Sequence, residues 1–359
     1  MANRPPLRMG WFIPTLGDTT AFGDPEKEIP QSMEHFLRVA KAAEKAGFEY
    51  ALIPINPYCW DAWVVGSFLA ANTKKLKMLL ALKPGFIHPV AQAKMISTFD
   101  QLSNGRLALN LIVGASEKDA FKEGQTQSKE ERYQQLAEEV ALLKRLWLEE
   151  NVHVEGNYYQ VRGPMIQPRP YQQPHPPFFL GGGSDLAAEI SAENSSIHLF
   201  WGDYPEKIQS EIASLRKRAA KYGRENEIQF SMRLQVICRE NERDAWDFAD
   251  QLIANADDEW RKTVANMAEA SVAQKRVRDI AKSTGRLMTP HMWTGITEVR
   301  PGAGIAVVGN PEQVANQLTE FLKAGCSGFC LSGYPHHEEA ERFGKLVMPL
   351  LKRCYKALK

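Results

Sequence analysis

The strongest constraint on the fold is a series of short apolar runs that each stop at a polar, aromatic or glycine-rich cluster, with helical stretches between most of them. Parallel strands of a β/α barrel have this form when the functional site is built on their C-terminal ends. The sequence therefore predicts an α/β fold, a (β/α)8 TIM barrel, with its chemistry at one end. The runs are Leu7–Ile13, Tyr50–Ile55, Leu107–Val113, Phe178–Leu180, Ile197–Phe200 and Phe329–Leu331.

Helical periodicity and turn residues divide the chain into alternating strands and helices. The predicted barrel strands are Leu7–Ile13, Ala51–Ile55, Leu76–Leu82, Arg106–Val113, Phe178–Leu180, Ile197–Phe200, Ile228–Cys238 and Gly328–Leu331. The predicted helices between them include Ser32–Ala46, Ala62–Ala71, His88–Leu102, Glu130–Leu148 and Tyr204–Tyr222. Residues 152–177 hold many prolines, and we expect a small hairpin there that leads into the fifth strand.

One segment exceeds what a minimal barrel needs. About ninety residues separate the seventh and eighth strands: Ala245–Ile280 is predicted to be helical, and Ser283–Arg300 is rich in Thr, Met, Trp and Gly. An insertion of this length is usually functional, for example as a lid. We therefore predict one domain over residues 1–359, with an insertion at about 245–300.

Composition excludes several classes of protein. The net charge is +1, from 44 basic and 43 acidic residues, so no overall field favours nucleic acid or an anionic membrane. No apolar run approaches the roughly 18 residues of a membrane span, and the first residues lack the apolar core of a signal peptide. The 5 cysteines lack paired CxxC spacing. We expect a cytoplasmic protein with reduced thiols and no metal site.

A glycine-rich turn is the first candidate binding element. Residues 181–185 (GGGSD), which include Gly183 and Ser184, follow a strand and open the helix Leu186–Glu193. Glycines allow close approach of a ligand, and a helix N-terminus suits phosphate. A tight turn with a Ser184 or Asp185 cap is an equal alternative. The spacing is not the GxGxxG dinucleotide fingerprint.

Two further positions could contact a cofactor. Arg132 and Tyr133 lie at the start of the long fourth helix and could clamp a phosphate, although an ordinary solvated helix start is the commoner reading. Asn110 lies inside an apolar strand, where its amide needs hydrogen-bond partners. A flavin ring edge or a backbone group would supply them equally well.

The remaining candidates lie at strand ends or in the insertion. Arg233 and Gln235 share one face of a strand, and a buried arginine needs an anion, here a substrate or a protein carboxylate. Arg300 precedes a glycine hinge and could close over an anion, or belong to a surface turn. The other side chains at strand ends are Trp201, Tyr334, His336 and Cys59.

No HxH, HExxH or GxSxG motif is present, so neither a metal nor an activated serine accounts for the chemistry. Their absence assigns the difficult step to an organic cofactor.

At this point the motifs resemble those of the bacterial luciferase-like flavin family, and within it the alkanesulfonate monooxygenases. The resemblance spans nearly the whole chain in order. It rests on WFIPT (11–15), LIP (52–54), CWDAW (59–63), DQLSNGR (100–106), ERY (131–133), GGSD (182–185), WG (201–202) and LSGYPH (331–336).

The resemblance implies a TIM barrel that binds reduced FMN from a separate NAD(P)H-dependent flavin reductase and uses dioxygen to cleave a C–S bond, giving sulfite and an aldehyde. It also implies a homodimer or homotetramer. It places the flavin against Ile55, Asn56, Asn110, Asp119, Arg132, Tyr133 and Ser184. It places the sulfonate near Trp201, Arg233, Arg300, Tyr334 and His336, with Cys59 on the oxygen side.

The sequence departs from the family pattern at the substrate end. Gln235 stands where members commonly carry histidine, and the loop before Cys59 reads Asn56-Pro57-Tyr58. An amide can both donate to and accept from hydroxyl groups, which favours a polyhydroxylated sulfonate. The chain also looks similar to sulfoquinovose monooxygenases, so sulfoquinovose is the expected substrate. A simple alkanesulfonate, a deazaflavin-dependent oxidoreductase of the same fold, and a non-catalytic sulfonate-binding protein are the alternatives.

Overall fold

The computed structural model describes residues 4–114, 116–267 and 272–358. The strands, numbered in chain order, are β1 (Arg8–Phe12), β2 (Asp18–Thr19), β3 (Glu28–Ile29), β4 (Tyr50–Ile53), β5 (Lys77–Leu82), β6 (Leu107–Leu111), β7 (Asn151–Glu155), β8 (Gln160–Pro164), β9 (Phe178–Gly181), β10 (Ile197–Trp201), β11 (Gln229–Cys238), β12 (Leu287–Thr289), β13 (Met292–Trp293), β14 (Ala306–Gly309) and β15 (Gly328–Ser332).

The helices are α1 (Met33–Ala46), α2 (Ala62–Asn72), α3 (Pro89–Leu102), α4 (Glu117–Lys122), α5 (Lys129–Leu148), α6 (Asp185–Asn194), α7 (Pro205–Ala219), α8 (Glu242–Ala254), α9 (Asp258–Met267), α10 (Val272–Thr284), α11 (Pro311–Lys323), α12 (His336–Leu346) and α13 (Met348–Ala357). Their ends follow local chemistry. Ser32 caps α1 by accepting from His35 N at 3.1 Å, and Gly47, with φ of 85°, ends it.

Eight parallel strands close into a barrel in the order β1, β4, β5, β6, β9, β10, β11 and β15, with β15 pairing back to β1. The prediction of a (β/α)8 barrel is confirmed, and each predicted strand corresponds to one of these. The predicted and observed strand boundaries differ by a few residues. For example, β4 ends at Ile53 and leaves Ile55 in the following loop. All the strand C-termini meet at one end.

The inside of the barrel is filled by side chains, among them Tyr50, Leu79, Phe179 and Cys330. A larger apolar layer lies between the strands and the surrounding helices, with Trp11, Phe36 and Phe329 among its fully buried members. The barrel is therefore a packed core rather than a channel, and space for a ligand lies above the strand ends.

The insertion is built onto a barrel strand. The first part of β11 pairs with β10 and β15, whereas Gln235 to Cys238 pair with β14, and the antiparallel strands β13 and β12 extend this sheet. A separate apolar cluster forms there, including Ile237, Leu252, Trp293 and Ile296. The insertion is thus a folded extension of the barrel wall.

The helical prediction for 245–280 is confirmed over α8, α9 and α10, while its residues 268–271 lie outside the described part of the chain. The strand β14 and the helix α11, which follow the predicted insertion, were not anticipated. The predicted hairpin is present as β7 paired antiparallel with β8. Among the described residues, no helix has both the length and the apolarity needed to pass through a bilayer.

Candidate active site at the barrel mouth

Arg233, on β11, is a buried cation without a protein anion. It is 6% exposed, and its Nη1 donates to Leu234 O at 3.0 Å and to Ser332 Oγ at 2.9 Å. Within the described chain, no carboxylate lies within 4.0 Å of its nitrogens, and Nε and Nη2 have no hydrogen-bond partner. Since burying an unpaired ion carries a penalty of several kcal/mol, the geometry favours an anionic ligand here.

Arg300 brings a second positive charge to the same place. The guanidinium of Arg233 lies 4.7 Å from the centre of the Phe12 ring, and that of Arg300 lies 5.6 Å from it. Burial lowers the pKa of Arg233, and the charge of Arg300 lowers it further. Two like charges flanking one aromatic ring repel each other unless an anion lies between them.

The segment that carries Arg300 is fixed by its neighbours. Trp260 Nε1 donates to Val299 O at 2.8 Å. The carboxylate of Glu298 accepts from Arg286 Nε at 2.5 Å and also pairs with Arg261. Residues of the insertion therefore set the position of Arg300 over the barrel mouth.

His336 presents an unpartnered nitrogen to this region. Its Nδ1 lies 2.9 Å from Asp18 Oδ1, and its Nε2 is buried without a hydrogen-bond partner. Burial lowers the pKa of His336, and the charges of Arg300 and Arg233 lower it further, whereas the charge and hydrogen bond of Asp18 raise it. Because Asp18 is ionised, the proton of the neutral ring resides on Nδ1, and Nε2 is a free acceptor.

Tyr334 supplies a second unpartnered group. Its ring packs edge-on against that of His336, with 5.0 Å between centroids, and its hydroxyl is buried without a partner. Burial raises the pKa of this phenol, so it remains a neutral donor. Arg300 is close enough to act electrostatically on both Tyr334 and His336.

Trp201 and Cys59 border the same space. Trp201 ends β10 and lies directly opposite Arg233 in the strand register. The backbone N–H of Cys59 donates to Asn56 Oδ1 at 3.2 Å. Burial raises the pKa of Cys59, while the Thr15 side chain and the charge of Arg300 oppose this. The thiol is therefore protonated at neutral pH.

Gln235 is engaged by the protein at both ends of its amide. Nε2 donates to Ala303 O at 3.0 Å, and Oε1 accepts from Ser332 Oγ at 2.6 Å. Ser332 in turn accepts from Arg233. Gln235 thus lies behind Arg233, fully buried, and orients the hydroxyl that holds the guanidinium.

A second group of residues lies at β9 and β6, two and three strands away from β11. Ser184 caps α6 by accepting from Ala187 N at 3.2 Å. The Tyr133 hydroxyl lies close, since a Cβ on Gly182 would be 3.3 Å from it. Burial raises the pKa of Tyr133, and the Ser184 side chain opposes the rise. Asn110, on β6, has no hydrogen-bond partner for its amide among the described residues.

Three of the other five predicted cofactor residues, Arg132, Asp119 and Asn56, bond to neighbouring protein groups. Arg132 donates to Val113 O at 2.8 Å and to Gln127 O at 2.5 Å, which leaves only Nη2 unpartnered. Asp119 Oδ2 accepts from the hydroxyl of Ser116, the N-cap of its own helix α4, at 2.9 Å. Asn56 shapes the loop after β4, next to Ile55. A Cβ added to Gly183 would lie 3.6 Å from the side chain of Val272, the first residue of α10.

The comparisons with known proteins identify the family. Residues 7–328 match the family model described as luciferase-like monooxygenase. The chain belongs to the luciferase-like monooxygenase family.

Solved structures related to this luciferase-like monooxygenase share its fold. A riboflavin lyase with modified FMN and riboflavin matches at a TM-score of 0.82 and 17% identity, over 97% of this chain and 92% of that one. EDTA monooxygenase from Chelativorans sp. BNC1 gives 0.78 and 17%, over 97% and 94%. The coenzyme F420-dependent tetrahydromethanopterin reductase from Methanopyrus kandleri gives 0.68 and 19%, over 96% and 99%. At these identities the likeness establishes the fold alone.

Sequence reasoning on this luciferase-like monooxygenase missed residues that complete the mouth. Asp18 hydrogen-bonds to His336, and the Phe12 ring packs against the guanidinium of Arg233. Ser332 links Arg233 to Gln235 by hydrogen bonds. The position of Phe12 at the end of the first strand was a usable signal. Asp18, a lone aspartate in a polar loop, gave no signal in the sequence that it belongs to the site.

Proposed function

We propose that this enzyme uses reduced FMN and dioxygen to cleave the C–S bond of an organosulfonate, giving sulfite and an aldehyde. One observation carries the proposal: Arg233 and Arg300 flank the Phe12 ring at the barrel mouth with no carboxylate to neutralise either of them among the described residues. One oxygen atom of dioxygen becomes the aldehyde oxygen, and the other leaves as water.

A sulfonate fits this pair of arginines. Its three oxygens are acceptors only, and its charge persists at every physiological pH. Arg233, Arg300 and the buried hydroxyl of Tyr334 are donors close enough to act on one another electrostatically. Charge-assisted bonds from guanidinium groups are roughly twice as strong as neutral ones. The same donors stabilise the additional negative charge that develops as sulfite leaves.

The second group of residues fits a flavin nucleotide. The unpartnered amide of Asn110 can meet the donors and acceptors of a ring edge, and the capped N-terminus of α6 with Ser184 and Tyr133 suits a phosphate. When bound, reduced FMN supplies the electrons that activate dioxygen. The proposal includes a separate NAD(P)H-dependent reductase as its source, and a homodimer or homotetramer as the working assembly.

His336 is the proposed base. Its Nε2 lone pair takes the proton that the sulfur-bearing carbon must lose to become a carbonyl, and Asp18 keeps Nδ1 protonated meanwhile. Arg300 and its segment exclude water from the reacting atoms. Gln235 acts through Ser332 to hold Arg233 in position.

Sulfoquinovose is the proposed substrate. The assignment rests on the resemblance of the motifs and on Trp201, whose half-buried indole beside Arg233 offers an apolar face of the kind on which sugar rings pack. Because both ends of the Gln235 amide are engaged by the protein, this residue supports the substrate pocket rather than reading sugar hydroxyls itself.

The test is sulfite release with enzymatically reduced FMN across short alkyl, aromatic and sugar sulfonates, on wild type and Arg233→Met. We expect the sugar sulfonate to be turned over fastest and the variant to be inactive. Arg216→Met is a matched control, since that guanidinium also lies over a phenylalanine, 5.6 Å from Phe230, but away from the mouth. Tight deazaflavin binding with no sulfite from any sulfonate would instead indicate a hydride transferase.

A further inference from the structure

Three potential metal ligands converge beside the proposed active site. Asp18 lies on β2, His35 in the first turn of α1, and His337 in the first turn of α12. One donor atom from each lies within 4.8 Å of the other two. Nothing in the proposed monooxygenase reaction uses His35 or His337.

The cluster is buried and incompletely bonded. Asp18 and His35 are 6% and 3% exposed, and the side chain of His337 is 19% exposed. Asp18 Oδ2 lies 3.0 Å from His35 Nε2. The Nδ1 atoms of both His35 and His337 are buried and have no hydrogen-bond partner among the residues that the structure describes. Two unpartnered imidazole nitrogens in one buried cluster are unusual in a protein interior, where polar atoms are normally paired.

The charges that face the cluster do not prevent binding. Glu338 lies 3.9 Å from His337 Nε2 and adds negative charge. Arg38, on α1, is balanced by Glu34 at 3.0 Å. The N-termini of α1 and α12 point toward the cluster and oppose a cation, which limits its affinity.

We propose that Asp18, His35 and His337 form a binding site for a zinc-class divalent cation, with water at the remaining position. Two imidazoles and a carboxylate are a ligand set that Zn²⁺ prefers, and three protein ligands leave the fourth position open. Binding through His35 Nε2 requires the ring proton, which lies against Asp18 Oδ2, to move to the unpartnered Nδ1 of the same ring. The other oxygen of Asp18 stays bonded to His336 Nδ1, so a single carboxylate connects the cation to the proposed base.

The test is titration of the metal-stripped full chain with Co²⁺ alone, without flavin or sulfonate, so its outcome is independent of the proposed reaction. We expect one Co²⁺ per chain, with the visible absorption of a four-coordinate ion that Zn²⁺ displaces. His35→Asn and His337→Asn should each weaken binding by more than the roughly 10–100-fold that loss of an outer partner causes.

His153→Asn is the matched control, because His153 lies 3.3 Å from Glu155 on the exposed hairpin and offers the same residue types without burial. It should leave the titration unchanged. His337→Asn decides the outcome, since its partly exposed side chain can be replaced without unfolding the chain, as circular dichroism will verify. No stoichiometric binding by wild type, or unchanged binding by a folded His337→Asn, overturns the proposal in favour of a purely hydrogen-bonded cluster.

Discussion

The carboxylate of Asp18 holds His336 at two points. Oδ1 lies 2.9 Å from the imidazole Nδ1, and Oδ2 accepts from the backbone N–H at 2.8 Å. The helix α12 begins after Pro335, which has no capping side chain, so Asp18 also acts as its cap from a distant part of the chain. One buried carboxylate thereby fixes both the start of a helix and the tautomer of the ring that it presents.

Asp18→Asn should impair turnover more than substrate binding. An amide can accept at only one of its two terminal atoms, so it cannot serve both His336 groups, and the ring loses its fixed tautomer. We expect kcat to fall by about 10²-fold and unfolding free energy to fall by roughly 1–3 kcal/mol. Nitrogen NMR of His336 together with sulfite assays measures both effects.

Asp61→Asn is the control for Asp18→Asn, since Asp61 caps α2 at an exposed position. Because Asn caps a helix about as well as Asp, it should leave both the unfolding free energy and the His336 tautomer nearly unchanged. An unaltered His336 tautomer in Asp18→Asn would contradict the role assigned to Asp18.

Turnover should fall on the acid side of the pH profile. The pKa of His336 lies below its ordinary value of about 6.5, chiefly through burial, so the ring is neutral at physiological pH. Protonation of Nε2 as the pH falls through that lowered pKa removes the base. The measurement is kcat/KM against pH, with His336→Gln expected to lose both activity and the acid limb. A wild-type rate that instead rises toward acid would rule out a neutral imidazole base.

Arg300→Ala should cripple desulfonation and leave flavin binding nearly unchanged. Arg300 contacts the side of the mouth that holds Phe12 and Tyr334, not the side with Ser184. We expect a loss of about 10²–10³-fold in kcat/KM, with the flavin Kd unchanged in a fluorescence titration. Arg243→Ala, on the exposed face of α8 in the same insertion, is the control. Near wild-type sulfite release by Arg300→Ala would show that Arg300 is not part of the site.

Glu139→Gln should stabilise the protein increasingly as the pH rises. Burial raises the pKa of Glu139 to about 7, against the hydrogen bonds from Tyr159 and Gly85, and its Oε1 has no partner. The folded state therefore binds a proton that the unfolded state releases near its ordinary pKa of 4.5. The free energy of unfolding of the wild type therefore decreases by about 3 kcal/mol as the pH rises from 4.5 to about 7.

Chemical denaturation at about pH 5 and about pH 8 measures the effect of Glu139→Gln. The stabilisation should be larger at the higher pH, because the amide carries no charge to bury. Glu130→Gln, at an exposed position of the same helix, should show no such trend. Equal effects at both pH values would mean that Glu139 is not held neutral by its surroundings.

The barrel was predictable because each of its strands is a short apolar run followed by a polar end and a helix. The strand β14 was missed although Ala306–Gly309 has the same pattern, a short apolar run followed by Asn310 and the helix α11. Arg233 was recognised because a charge inside an apolar run has few explanations. Arg132 was read as a possible phosphate ligand, yet the carbonyls of Val113 and of Gln127, just before its helix, engage two of its three nitrogens.

Contacts between distant parts of the chain were beyond the sequence patterns. Asp18 meets a histidine that is 318 residues away. The expectation of no metal site came from searching for closely spaced ligands, whereas Asp18, His35 and His337 come together only through the closure of the barrel, which places α12 against α1.

The division of β11 between two sheets has an implication for how such an enzyme can change. The part up to Gln235 pairs with the barrel strand β15, whereas the part from Gln235 onward pairs with β14, next to the insertion. We therefore expect substitutions in the insertion to alter which molecules are admitted while Arg233, the proposed anion ligand, stays anchored in the barrel. New specificities can arise in that segment without any remodelling of the cylinder beneath it.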